Sequence, residues 1–252
     1  HAIAIVGWDD NFSKDNFYYK PEGDGAWLVR NSWGESHGDG GYFWLSYHDA
    51  TMDGAISFQV EEKDKYDNLY TYYMPQTGGS ASWVSASMGV SLDVVNVFPI
   101  QNERELIKAV QFPLFLNNYE YSIMLYRNPQ EGNPASGEEL LKQPITGRRR
   151  MKGRFKVDLE QPVWVEADDK IAVCVTLRAI PVEGAPNLGV YVETDSQRVS
   201  HKGESYYRKN NEAWIDCSTE GNGSFSISLL TDTGDPSVSV HEHDWAETWS
   251  YN

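Results

Sequence analysis

Cysteine is nearly absent from this chain. Cys174 and Cys217 are the two in 252 residues, too few for a disulfide scaffold or a cysteine-rich zinc site. Positive charge is scarce as well: 21 Lys and Arg stand against 37 Asp and Glu, a net charge of −16. A field of that sign repels phosphate backbones and anionic membrane surfaces, so no nucleic-acid partner is expected. Long hydrophobic runs are missing too. The longest strand-like one, Ile171 to Leu177, is broken by Thr176. It falls far short of the ~18 apolar residues of a membrane-spanning helix, so no membrane span is expected. An initiating Met and a signal peptide are lacking; starting at His1, the chain is expected to be processed or cut from something longer. Core material, by contrast, is plentiful. Hydrophobic residues make up 40%, with nine Trp and fifteen Tyr. That excludes a disordered chain and suffices for one large domain or two modest ones.

The apolar pattern repeats mostly every two residues. Ile123 and Leu125 share a face, and Phe155, Val157 and Leu159 alternate with Lys156, Asp158 and Glu160. Leu188, Val190 and Val192 alternate with Gly189, Tyr191 and Glu193, as Phe225, Ile227 and Leu229 do with Ser224, Ser226 and Ser228. Each pattern predicts a strand with one buried and one wetter face. Turn-like sequence separates them at Asn128-Pro129, Gly132-Asn133-Pro134, Gly184 to Asn187 and Gly221-Asn222-Gly223. Such spacing predicts a mainly β protein, a sandwich or barrel. Glu103 to Val110 is the one stretch that reads as a short helix, and Pro113 predicts an edge strand or bulge. The charged run Glu61 to Lys65 separates two hydrophobic blocks. The expected division is 1–62, 66–231 and a tail or linker, 232–252.

The first block carries His1-Ala-Ile-Ala-Ile-Val-Gly7-Trp8-Asp9-Asp10, then Asn31-Ser32-Trp33-Gly34, then Gly38-Asp-Gly-Gly41-Tyr42-Phe-Trp-Leu. These three elements, in this order, resemble the segment of papain-like cysteine peptidases that bears their catalytic His and Asn. The resemblance covers about the first sixty residues. It implies the C-terminal, β-barrel-like half of a papain-like fold, with His1 as base, Asn31 as its orienter and Trp33 as a cover over their hydrogen bond. The chemistry agrees. A thiol is a weak nucleophile until an imidazole stabilises its thiolate, and an amide oxygen orients that imidazole without adding charge. The polar insertion Asn11 to Asp24 is expected to form a loop beside the substrate cleft. The family's nucleophilic Cys and the oxyanion-hole Gln before it belong upstream of the His, and neither is present here. Cys174, inside Lys-Ile-Ala-Val-Cys-Val-Thr, reads as a small buried hydrophobe, and Cys217 has no catalytic context. This chain alone is therefore expected to be inactive.

The second block opens with Lys65-Tyr-Asp-Asn-Leu-Tyr-Thr-Tyr-Tyr and continues through Val95-Asn-Val-Phe98, Glu105 to Phe112, Tyr121 to Tyr126 and Gly203-Glu-Ser-Tyr-Tyr207. It resembles the lectin-like domain that follows the peptidase in bacterial and archaeal surface proteases. That implies a jelly-roll-type β-sandwich and does not by itself imply sugar binding. Trp83, Trp164, Tyr206, Tyr207 and Trp214 are candidate platforms for a glycan or cell-wall ligand. No cofactor is expected; structural calcium stays open, since oxygen ligands abound but no EF-hand spacing assigns a site. Arg148, Arg149, Arg150, Lys152 and Arg154 read as a solvated loop leading into the Phe155 strand. His241-Glu242-His243-Asp244 carries metal-capable side chains in a tail, without a metal site being expected.

Together these features predict a secreted or cell-surface microbial cysteine endopeptidase acting on protein or peptide substrates, with an accessory lectin-like domain. The alternative is a surface binding or adhesion module whose peptidase portion is degenerate.

Overall fold

Period-two patterning becomes antiparallel pairing in every strand pair among the described residues. The computed structural model describes residues 1–52, 55–57, 60, 62, 65–72, 82–183, 189–195 and 198–233. The chain divides into two units, His1–Glu61 and Glu62–Asn252. The tail with His241 to Asp244, the turn Gly184 to Asn187 and Leu188 lie outside the described residues.

The first unit is a three-stranded sheet in the order β1 (Ile3–Asp9), β2 (Ala26–Asn31), β3 (Tyr42–Ser46). The central strand buries Ala26 and Val29 completely. On β1, Ile5, Val6 and Trp8 keep 42%, 52% and 68% of their surface exposed. The insertion before β2 contains one 3-10 turn, Lys14–Asn16, capped by the Ser13 side chain, which accepts from the Asp15 amide. Its ends are tied by the Gly25 amide donating to the Phe12 carbonyl at 2.9 Å, and Phe12 stacks on Trp44 at 4.5 Å. Gly25 has φ 103°, and a Cβ there would sit 2.4 Å from the Tyr47 ring, so a side chain is excluded twice over.

The second unit is a sandwich. Its strands are β4 (Asn68–Thr71), β5 (Ser82–Ala86), β6 (Leu92–Pro99), β7 (Arg104–Leu114), β8 (Tyr119–Arg127), β9 (Glu138–Glu139), β10 (Ile145–Arg149), β11 (Gly153–Glu166), β12 (Lys170–Ala179), β13 (Val190–Thr194), β14 (Ser205–Lys209), β15 (Ile215–Asp216) and β16 (Ser228–Asp232). One sheet runs β10-β8-β12-β6-β14-β15, with the short β9 on β8; the other runs β11-β7-β16-β4; β5 and β13 pair separately. Phe98, Ile123, Leu125, Ile171 and Val173 from the first sheet share one core with Ile107, Phe112, Val157 and Leu229 from the second. Each such aliphatic or aromatic side chain contributes about 1.5–3 kcal/mol on full burial. A smaller cluster, Val95, Val97, Ala172, Cys174 and Tyr206, with Tyr126 and Trp214 against it, covers the other face of the seven-stranded sheet. Strands β6 and β12 are thus buried on both faces, which is why they read as near-continuous apolar runs.

Three local expectations are corrected. Glu103 to Val110 is not helical; from Arg104 on it belongs to β7, whose pairing shifts register between Ile107 and Ala109, so that Ile107 and then Val110 and Phe112 reach the core. Glu105 is fully buried and accepts hydrogen bonds from Tyr70, Asn68, Thr231 and both the amide and side chain of Asn102. Asn68 and Tyr70 come from β4 and Thr231 from β16, while Asn102 lies just before β7; together they make a carboxylate tolerable in a sheet interior. Second, the serine face of the Phe225 to Leu229 run is not wet. Ser224, Ser226 and Ser228 are buried, Ser226 accepting from Arg154 at 2.6 Å and Ser224 donating to Ser200 at 3.1 Å. Third, the arginine-rich segment is not simply a loop. Arg148 and Arg149 lie on β10, and Arg154 is in β11. Arg148 pairs with Glu120, while Arg149 lies over the Tyr121 and Phe155 rings. Pro113 sits at Arg154 on β11, beyond Gln111 where pairing of β7 with β16 ends. The strand is locally an edge there, so the missing N–H costs no ladder bond.

Candidate active site

Register places the candidate residues. The β1–β2 pairing sets Ile3 opposite Asn31. His1, two residues before Ile3, occupies the diagonal position on the same face, within reach of a long side chain. Across this gap His1 Nε2 and Asn31 Oδ1 are 2.9 Å apart. An amide oxygen only accepts, so Nε2 carries the hydrogen in this pairing. In the neutral ring that leaves Nδ1 as the basic nitrogen. Nδ1 makes no hydrogen bond with any described residue.

Trp33, two residues after Asn31, lays its ring against the His1 imidazole at 4.7 Å between centroids. It is 59% exposed, so within these residues one side of the indole covers the imidazole and much of the rest faces solvent. The loop that carries it is closed from behind. The Asn31 amide donates to the Gly41 carbonyl at 2.9 Å, the Gly41 amide to His37 at 2.8 Å. His37, which the motif does not single out, donates from Nδ1 to the Trp33 carbonyl at 3.1 Å and packs edge-on against the indole at 5.3 Å. Its signal in the sequence is weak: a histidine four residues after Trp33 in a glycine-rich loop.

The two cysteines are elsewhere and unsuited to attack. Both are free and buried in the second unit. Burial first, then the nearby carboxylates Asp93 for Cys174 and Asp216 for Cys217, pushes each thiol up to about 12. A nucleophilic cysteine needs a shift the other way. Among the described residues no three His, Cys, Asp or Glu side chains gather as a metal site would require. Of the aromatic residues considered for glycans, Tyr206 and Tyr207 are buried, whereas Trp83 and Trp164 are exposed. Arg104 stacks on Trp164 at 4.1 Å and Arg208 on Trp214 at 4.2 Å. No helix among the described residues is long and apolar enough to cross a membrane.

Both units are similar to known proteins. Residues 1–61 match the papain family of cysteine proteases, and residues 72–229 match the lectin-like domain. No curated protein matches the chain. Two solved structures are similar in fold at a TM-score of 0.68. One is a Cys-to-Ala variant of the clostridial cysteine protease Cwp84 after propeptide cleavage, 26% identical over 92% of this chain and 58% of that one. The other holds the cysteine protease and lectin-like domains of Cwp84, a surface-layer-associated protein of Clostridium difficile, 25% identical over 92% of this chain and 52% of that one. This chain therefore spans little more than half the length of either. It belongs to the lectin-like domain family, and its first 61 residues are a papain-family cysteine protease segment.

Proposed function

We propose that the chain is the histidine- and asparagine-bearing part of a papain-like cysteine endopeptidase of a microbial cell surface, with a lectin-like unit that holds it on that surface or on its substrate. The observation that carries this reading is the 2.9 Å pairing of His1 Nε2 with Asn31 Oδ1. It leaves Nδ1 basic and oriented, as proton abstraction from a thiol requires. In this reading a cysteine outside these residues is the nucleophile. Its thiol proton passes to His1 Nδ1, and the thiolate attacks the substrate carbonyl. The proton then goes to the departing amine, leaving an acyl-enzyme that water hydrolyses. Asn31 keeps the ring in one tautomer and one plane throughout, and Trp33 shields one side of it. The exposed apolar side chains Ile5, Val6 and Trp8 would pack against the part of the peptidase that carries the cysteine.

The test is turnover of a peptide substrate by the full-length protein and by these 252 residues alone, each with and without a thiol-alkylating reagent. The expected result is alkylation-sensitive turnover by the full-length protein and none by the chain alone. A full-length protein with no thiol-dependent turnover would favour the adhesion module instead. Alkylation-sensitive turnover by the chain alone would overturn the assignment of the nucleophile.

A further inference from the structure

We propose that the pocket on the outer face of the seven-stranded sheet binds a neutral sugar ring, free or as part of a glycan. The proposal rests on reading the second unit as a surface-holding module, and gives that module a site. The pocket has a volume of about 350 Å³, at the small end of the about 300–1,000 Å³ of ligand sites.

Its floor comes from four strands that are neighbours in the sheet but not in sequence. Pairing sets Ser122 beside Thr176, Thr176 beside Asp93, and Asp93 beside Arg208, a polar row across β8, β12, β6 and β14. The adjacent row holds Met124 and Cys174, with Tyr126 beyond them. A pyranose has the same two-sided character: hydroxyls around its rim and apolar C–H faces. The roof is the segment between β8 and β10, pinned to the sheet where the Gly132 amide donates to the Tyr206 hydroxyl at 3.3 Å and Tyr126 pairs with Glu139.

The polar row is fixed before any ligand arrives. Asp93 is 5% exposed. Its Oδ1 accepts from Thr176 at 2.7 Å and its Oδ2 from Arg208 Nε at 2.6 Å. A carboxylate has about four acceptor positions, so these two bonds leave Asp93 able to accept sugar hydroxyls. The Arg208 guanidinium lies over the Trp214 ring at 4.2 Å. Acceptor and donor are thus preorganised, which lowers the ordering cost of binding.

Charge selects the ligand class. Among the lining residues, Asp93 and Glu139 are balanced by Arg208 and Lys142. Burial holds Cys174 as a neutral thiol. In a chain of net charge −16 this is a locally neutral cavity. It offers no excess cation for a phosphate or uronate and no excess anion for an amine.

The test titrates the chain with methyl glycosides of neutral hexoses and N-acetylhexosamines, with mannan and dextran as polymers, and with glucuronate and inorganic phosphate as charged probes. The expected result is saturable binding of a neutral glycoside and none of the charged probes. Stronger binding of a polymer identifies the ring as part of a glycan; equal binding identifies the free sugar. Tyr126→Ala and Ser122→Leu should each weaken binding about tenfold or more, by removing the ring face or a hydrogen-bonding hydroxyl. Trp164→Ala, on the other sheet, should leave it unchanged. The wild-type chain adds a readout that needs no variant: the Met124 methyl resonance should shift with sugar. Binding that spares both pocket variants and leaves Met124 unmoved overturns the site, while the surface-holding role stands. Failure of every neutral glycoside to bind, or equal binding of glucuronate or phosphate, overturns the ligand class. The surface-holding reading fails separately, if deleting the second unit leaves the full-length protein's retention on cells unchanged.

Discussion

The two units divide chemistry from stability. The first has two fully buried hydrophobic residues among those described, Ala26 and Val29, and exposes Trp8, Tyr18, Tyr19 and Trp33. Yet it carries the histidine, the asparagine and the indole that a peptidase would use. Among its described residues the second buries thirty in one core and a further cluster on its outer sheet face, and both of its cysteines are buried. Catalytic geometry needs a short strand register and one side-chain bond; a folded unit needs area removed from water. The first unit has the former without much of the latter.

The widest separation between the units should appear when they are parted. Tyr66 to Thr233 should fold alone, with a cooperative melt, because its sheets close on one core. His1 to Val60 alone should show no cooperative melt. Limited proteolysis of the whole chain checks the same point, with early cuts expected within Asn11 to Asp24 and near Lys63. A resistant fragment spanning the joint, or loss of the second unit first, would break the contrast.

Next comes the proposed chemistry of the full-length protein. His1→Ala should lower kcat/KM by roughly 10⁴-fold or more, since the proton acceptor itself is removed. Asn31→Ala should cost less, about 10²-fold, because the ring remains but loses its orientation. Trp33→Ala should cost less again. None of the three should shift the melting midpoint of the second unit. An Asn31→Ala loss equal to that of His1→Ala would contradict the assigned roles.

The stability contrast within one kind of substitution is smaller. Leu125→Ala removes a fully buried side chain and should cost about 2–5 kcal/mol in chemical denaturation. Trp8→Ala, at a side chain 68% exposed, should fall within about 0.5 kcal/mol. In the full-length protein, however, Trp8→Ala should become costly if the rest of the peptidase covers that face. That pair of measurements sharpens the comparison without touching a catalytic group.

The units also differ in how far their sequences could be read. In the first, His1, Asn31 and Trp33 sit in motifs whose order carries the register, so their meeting was legible although 30 residues separate His1 from Asn31. In the second, strands such as Tyr119–Arg127 and Gly153–Glu166 announce themselves by alternation. Arg104–Leu114 does not. Glu105, Leu106, Lys108 and Ala109 are good helix formers, and what makes a strand of them is a network with Asn68, Tyr70 and Thr231 that no local window contains. The serines leading into β16 are misread for the same reason, since Arg154 reaches Ser226 and Ser200 reaches Ser224 from elsewhere. The outer-sheet pocket is invisible in sequence because Ser122, Thr176, Asp93 and Arg208 meet only through β-pairing across four strands.

The smallest expected effect concerns pH, and it belongs to the second unit. Burial would raise the Glu204 carboxyl. Hydrogen bonds from the Arg198 guanidinium and from the His201 backbone and side chain outweigh it, holding the group below the ordinary carboxylate value of 4.5. Its folded pKa is therefore depressed. In acid the unfolded chain takes up this proton at a higher pH than the folded one, so the stabilisation is fully present above 4.5 and is lost as pH falls through the folded value. Arg198 keeps 33% of its side-chain surface in solvent, so screening limits the gain to at most about 1 kcal/mol. Glu204→Gln should lower the melting midpoint slightly at neutral pH and flatten the acid limb of the stability curve below 4.5, while the two proteins converge at the lowest pH where both remain folded. The first unit has no such carboxylate–arginine anchor among its described residues. An acid limb unchanged by Glu204→Gln would assign the acid sensitivity of the second unit to other groups, with Asp158 next in line, its carboxyl lowered, against the pull of burial, by hydrogen bonds from Tyr66 and Lys156.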